Sequence, residues 1–262
     1  MFQSLNMHMS KLDRDRQITI YLPDDYDMSE QRYPVLYIQD GQNAFFDEES
    51  YSGISWGFAD YVIEVGLDII MVAIPRNEEG YKRNDEYGPW VISDELTLLE
   101  TGQTEIPNGG EGQDYVDWMV YELKPYIDSH YRTIADDTGI VGSSMGGVIA
   151  AYAGLTYPEV FNRCACLSTA FWFYMYEFND LIDQYDYHGQ RFYMDLGEFE
   201  GCGDEEIDQM YIETNDYIYH RLLEKDMILE YRFFPDTVHN ESEWRQRVPI
   251  FMEFLYAEDE NV

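Results

Sequence analysis

Positive charge is scarce in this chain. Its 262 residues include 16 lysines and arginines against 52 aspartates and glutamates, a formal net charge of −36. Only Lys11, Lys82, Lys124 and Lys225 are lysines. A surface of that sign repels phosphate backbones and anionic lipid, so neither nucleic acid nor membrane is expected as a partner. It fits a strongly hydrated, soluble surface and, less directly, a salt-adapted source. Cysteine is also sparse. Three residues give no disulfide framework and no paired-cysteine zinc site. Cys164 and Cys166 alternate along an expected strand and should share its buried face, whereas Cys202 sits in an acidic loop and should be exposed. No apolar run is long enough to cross a bilayer. Residues 1–11 show no basic segment leading into an apolar one, so a cytoplasmic location is the expectation. The acidic stretch 198–206 lacks the spaced ligands and placed glycine of a calcium loop, and there is no phosphate loop. No metal and no cofactor are expected.

Hydrophobic residues make up 45% of the chain, enough for a sizeable core. The near-continuous apolar run Tyr33–Gln39 reads as a strand buried on both faces, 68–75 and 228–234 as further buried strands, and 164–168 and 191–197 as strands. Alternating segments at 2–9 and 16–22 read as an opening antiparallel pair. Helical spacing is expected near 55–65, 111–130, 204–225 and 241–256, with Pro125 tolerated or kinking near a helix end. Strands alternating with helices imply an α/β fold with a mostly parallel sheet covered on both faces. No linker argues for a second domain. Residues 76–110 break the rhythm and are expected to be a long excursion that borders a pocket or merely covers the surface.

The stretch with the most chemical content is Thr138–Gly154. It reads as a strand, a glycine-rich corner at Gly142-Ser143-Ser144-Met145-Gly146-Gly147, and a helix of small residues. G-x-S-x-G in that context lifts the Ser144 hydroxyl above the sheet on a strained turn and places the Met145 amide at a helix N-terminus, where an oxyanion would develop. A second copy, Gly53-Ile54-Ser55-Trp56-Gly57, follows an acidic stretch instead of a strand, and Ser55 is expected to be a helix N-cap.

A serine hydroxyl needs a base, and the base needs an orienting acid. Of five histidines, His239 alone follows a strand and turn and precedes a helix, at the sheet edge where Ser144 should emerge. The acid should follow the strand ending at Gly197; Glu200 is the first choice and Asp204 the second. A further backbone donor should come from Gly41 or Gln42, after the first core strand. Asp40, Gly41, Trp172 and Trp244 are candidates for pocket walls. If the acidic excess extends to that pocket, neutral or cationic substrates are favoured.

Four segments together resemble the family named Putative esterase, α/β hydrolases related to esterase D. They are Tyr37-Ile38-Gln39-Asp40-Gly41-Gln42-Asn43-Ala44-Phe45, Arg83-Asn84-Asp85-Glu86-Tyr87-Gly88-Pro89-Trp90, the Gly142–Gly147 elbow, and His239-Asn240-Glu241 through Trp244-Arg245. The resemblance runs from about residue 14 to 254. It implies an α/β-hydrolase fold and acyl-ester chemistry on a small-molecule ester, with Ser144 as nucleophile, His239 as base and a backbone donor near Gln42, and it favours Glu200 as the acid. Some relatives that act on siderophore esters are thought to work with the serine–histidine pair alone. Acyl transfer and a non-catalytic binding module are the alternatives, and a homo-oligomer is compatible with the sequence.

Overall fold

A segment that is apolar on both faces is hidden only in the middle of a sheet with helices on each side. The computed structural model, which describes residues 1–80, 82–93 and 108–257, puts the apolar runs there. Its strands are β1 (Phe2–Met9), β2 (Arg14–Tyr21), β3 (Tyr33–Gln39), β4 (Ile70–Ile74), β5 (Thr133–Ser143), β6 (Arg163–Leu167), β7 (Gln190–Phe199) and β8 (Met227–Val238). They form one sheet in the order β1-β2-β4-β3-β5-β6-β7-β8. The β1–β2 and β2–β4 pairs are antiparallel and the other neighbours are parallel, as expected. From β3 the chain steps to β4 on one side and then to β5 on the other. Such a reversal of strand order opens a crevice at the carboxyl ends of the two central strands.

On one face lie α1 (Phe58–Val65) and α8 (Glu241–Tyr256), whose Phe58, Val62, Val248 and Phe251 pack with Leu36, Ile38 and Val141 of the sheet. On the other lie α2 (Lys82–Tyr87), α3 (Gly112–Trp118), α4 (Lys124–His130), α5 (Met145–Thr156), α6 (Met175–Ile182) and α7 (Glu205–Leu222). Tyr115, Val148, Phe178 and Ile218 from these helices meet Val35, Tyr37, Ile140 and Phe192. The period-2 pattern of the strands thus divides one set of apolar residues between two cores. Cys164 and Cys166 are both buried, their sulfurs 3.5 Å apart, and Cys202 is exposed.

Some expectations need correction. The helical stretch 111–130 is α3, a π-helical turn at Met119–Leu123, and α4. Pro125 has no N–H for the carbonyl four residues back, and the turn just before it widens. β8 is not a buried strand, since Ile228 and Phe233 are 43% and 47% exposed. Among the described residues it is the last strand of the sheet, with β7 as its only neighbour. Ser55 is not an N-cap: Gly57 occupies that position in a left-handed conformation, and Ser55 is buried, donating its hydroxyl to Asp47 Oδ1 at 2.8 Å. Trp172, a candidate for the pocket wall, lies in a 3-10 turn, Phe171–Phe173, that leads into α6. Of the excursion 76–110, residues 81 and 94–107 lie outside the described residues.

Candidate active site

β5 ends at Ser143 and α5 begins at Met145, so Ser144 makes the whole turn between them. Its φ of 57° and ψ of −123° lie outside the regions that L residues ordinarily occupy, a cost of about 1–3 kcal/mol that the surroundings must impose. Ser144 N–H donates to Leu167 O at 2.9 Å, and Ser144 O accepts from Val148 N–H at 3.1 Å. The flanking glycines follow from distance. A Cβ on Gly142 would stand 2.0 Å from Gly146 O, and one on Gly146 would stand 2.8 Å from Asp40 Oδ2. Met145 opens the helix, so its N–H has no partner one turn back.

The β7–β8 register shifts after Gly197, which pairs with Phe234, because β8 carries two extra residues before Phe199 meets Val238; beyond that pair the next residues, Glu200 and His239, emerge side by side. His239 Nδ1 lies 2.6 Å from Glu200 Oε2. Glu200 Oε1 accepts from Ser168 Oγ at 2.6 Å and from Gly197 N–H. Burial by itself would raise the Glu200 pKa, but the hydrogen bonds and charge of His239, with those of Ser168 and Gly197, outweigh it and hold the carboxyl below its usual range. Glu200 is therefore a carboxylate that accepts, Nδ1–H donates, and Nε2 is left as the basic nitrogen of the ring.

Asp204, the second candidate acid, is elsewhere employed. It is exposed, caps α7, and accepts from Glu206 N–H and Ile207 N–H at 3.0 and 3.2 Å. Asp204→Ala is expected to cost about 0.5–2 kcal/mol of stability and to leave kcat unchanged. Denaturant unfolding and steady-state kinetics on the same preparation check both halves.

Behind Glu200 lies a buried polar network on which sequence reasoning was silent. Ser168 Oγ, while donating to Glu200, accepts from Trp244 Nε1 and from an Arg247 guanidinium nitrogen, each at 3.0 Å. Arg247 also reaches Asp195 Oδ1 at 2.9 Å and Thr237 Oγ1 at 3.0 Å. Two signals were available: Ser168 directly follows β6, at the same sheet edge as Ser144, and Arg247 stands three residues after Trp244 on one helix face. Burial, opposed by Arg247 and reinforced by the nearby Glu200 charge, pushes the Asp195 carboxyl up to about 6. Arg247→Met would strand Asp195, a loss of about 3–5 kcal/mol. The sign with pH follows from the raised value. The native state keeps a proton on Asp195 to higher pH than the unfolded chain does, so ionising it destabilises as pH rises from 3.8 through about 6. Arg247→Met should therefore lose more stability at pH 8 than at pH 5, and Arg247→Met with Asp195→Leu should recover much of the loss. Urea unfolding of the three proteins at both pH values tests this.

Ser144 and His239 line one cavity of about 200 Å³, together with Asp40, Trp244, Arg76 and Arg83. Asp40 holds a left-handed conformation, with its N–H donated to Tyr87 Oη at 2.9 Å and its carboxylate gripped in two places by Arg83, at 2.8 and 2.7 Å. Trp244 meets the His239 ring edge to face, centroids 4.9 Å apart. Tyr211 lies 5.5 Å from the same ring and reaches the Ser144 side chain; burial, foremost, pushes its hydroxyl pKa up, so it stays protonated. Gly41 and Gln42 instead line a neighbouring groove of about 910 Å³, where Gln42 Oε1 accepts from Arg76 N–H at 3.1 Å. Trp172 lies one layer away from the cavity, stacked on Phe173 at 3.7 Å and set against Tyr211. The acidic excess of the chain does not extend to this cavity unchanged: two arginines stand among its walls beside Asp40 and Glu241. Among the described residues no group of His, Cys, Asp and Glu is arranged to hold a metal ion, and no helix is long and apolar enough to cross a membrane.

The chain resembles an uncharacterised Bacillus subtilis protein, YbbA, at 25% identity over 217 residues, 80% of this chain and 79% of that one. Its fold resembles an IroE-like serine hydrolase from Shewanella oneidensis, with a TM-score of 0.77 and 21% identity, over 97% of this chain and 80% of the other. It also resembles a siderophore hydrolase, EstA, from Aspergillus nidulans, with a TM-score of 0.68 and 16% identity, over 96% of this chain and 93% of the other. The family model described as Putative esterase matches residues 9–250, and the chain belongs to that family.

Proposed function

We propose that the protein is a serine carboxylesterase that works through an acyl-enzyme on Ser144. The observation that carries this reading is the convergence of three strand ends. Ser144, held in a strained turn after β5, shares a cavity with His239, and His239 is oriented by a 2.6 Å bond to a buried carboxylate, Glu200. With Nδ1–H committed to Glu200, Nε2 takes the Ser144 proton as Oγ attacks the ester carbonyl. The negative charge that develops on the carbonyl oxygen falls to the N–H of Met145, at the start of α5, and to a second N–H from the turn after β3, for which Gln42 is our choice. His239 then gives its proton to the departing alcohol. Water, activated by the same nitrogen, releases the acid and restores Ser144. No cofactor enters this cycle.

Membership of the esterase family and fold likeness to serine hydrolases support the reading. A panel of p-nitrophenyl esters from acetyl to octanoyl, with a feruloyl ester beside them, and labelling by a serine-reactive fluorophosphonate test it. The expected result is turnover of at least one ester and a single adduct on the peptide that carries Ser144. Absence of both adduct and turnover would sink the proposal in favour of a binding module.

A further inference from the structure

One cation stands apart. With 52 acidic residues for 16 basic ones, most of the lysines and arginines find a carboxylate. Arg14 and Arg16 meet Glu86, Lys82 meets Asp85, Arg83 meets Asp40, and Arg245 meets Asp47. Arg32 and Arg132 bond backbone carbonyls instead. Among the described residues, Arg76 alone of the lysines and arginines holds neither a carboxylate nor a carbonyl. Its guanidinium carbon lies 4.6 Å from the centre of the Tyr51 ring. A guanidinium laid on an aromatic face is fixed in position while its N–H edge stays free, the geometry that grips a carboxylate with two parallel bonds.

Its location is informative. Arg76 follows β4 at the sheet edge where Ser144 emerges, and it lines both the cavity of about 200 Å³ that holds Ser144 and the adjoining groove of about 910 Å³. A substrate with its carbonyl at Ser144 and its remainder in the groove must pass Arg76. The other charges facing the cavity are accounted for. Asp40 is spent on Arg83, and Glu241 occupies the first turn of α8, where the helix dipole favours a negative charge.

We infer that Arg76 is a specificity-determining residue and that the Ser144 cavity selects esters carrying a carboxylate a few bonds from the scissile carbonyl. This rests on the esterase reading above and deepens it by naming a substrate class.

The test is a charge series of fixed length. Methyl hydrogen adipate, methyl hexanoate and methyl 6-aminohexanoate carry negative, zero and positive charge on the acyl side; 6-acetoxyhexanoate and hexyl acetate repeat the negative and neutral arms on the alcohol side. In at least one series, wild type should favour the carboxylate ester over its neutral counterpart by about 10- to 100-fold in kcat/KM. Arg76→Gln should abolish that advantage with the neutral esters changed less than about threefold, and Arg76→Lys should keep part of it. Adipate binding, followed by tryptophan fluorescence, should weaken by about tenfold in Arg76→Gln. Equal rates for charged and neutral esters in wild type, or a uniform loss in Arg76→Gln, would overturn the inference. If no ester is turned over but adipate binding depends on Arg76, the esterase reading fails and the ester class with it, while Arg76 as the cavity's carboxylate-binding residue stands. Adipate binding indifferent to Arg76→Gln refutes it whatever the rates.

Discussion

Ser144→Ala lowers kcat on any ester the protein hydrolyses by about 10⁴- to 10⁶-fold, with KM changed little. The expectation rests on the way such groups act as a unit: once the nucleophile is gone, the base and the acid have nothing to activate, and only donor and binding effects remain. The change removes one oxygen from a partly buried side chain and keeps the backbone bonds to Leu167 O and from Val148 N–H, so the fold should be preserved within about 1 kcal/mol. Two controls sharpen the result. Ser143→Ala, one residue earlier in the same G-x-S-x-G run, and Ser55→Ala, in the second copy of the pattern, should each keep kcat within about tenfold. Stopped-flow release of p-nitrophenol from the four proteins, alongside their melting curves, decides it. Substantial activity in Ser144→Ala at normal stability would remove Ser144 from the mechanism.

Glu200→Gln is the next largest, an expected fall in kcat of about 10⁴-fold. Volume and shape are kept, so the effect isolates charge. The amide can offer an N–H to His239 Nδ1 in place of an acceptor, which would leave the other tautomer of the ring, with its proton on Nε2 where a lone pair is needed. The imidazolium formed during attack also loses its counterion. A pH prediction accompanies this. Because Glu200 is held below its usual value of 4.5, the stability its ionised form contributes is complete above that value and is lost only as pH falls through the lowered one. Wild type should keep this contribution in mildly acidic buffer, and Glu200→Gln should lack it at every pH. If kcat of Glu200→Gln stays within tenfold of wild type, Ser144 and His239 suffice as a pair and Glu200 is structural.

Wherever one short segment carried the constraint by itself, the sequence was enough. The elbow is legible because Gly142 and Gly146 must lack side chains for a strand and a helix to pass at contact distance, as the overlaps at Gly146 O and Asp40 Oδ2 make plain. Unbroken apolar runs at 33–39 and 70–74 required a sheet covered on both faces, and the alternation at 2–9 required a strand with one face in water. Packing decided the rest, because the deciding partner lay far away in the chain. The sequence ranked Glu200 above Asp204 by its place just past the strand, without showing what either would touch. Register between β7 and β8 sets Glu200 beside His239, 39 residues later, while Asp204 finds the open N–H groups of α7. β8 looked buried by composition and lies half exposed by its place in the strand order. Ser168, Asp195 and Arg247 come from the turn after β6, from β7 and from α8, and a buried guanidinium can be told from a solvated one only by seeing which carboxylate it reaches. The same holds for Arg76, whose significance is that no described oxygen claims it. Local sterics are written into neighbouring residues; electrostatic pairing and strand order are properties of the assembled chain, and the fold alone fixed them.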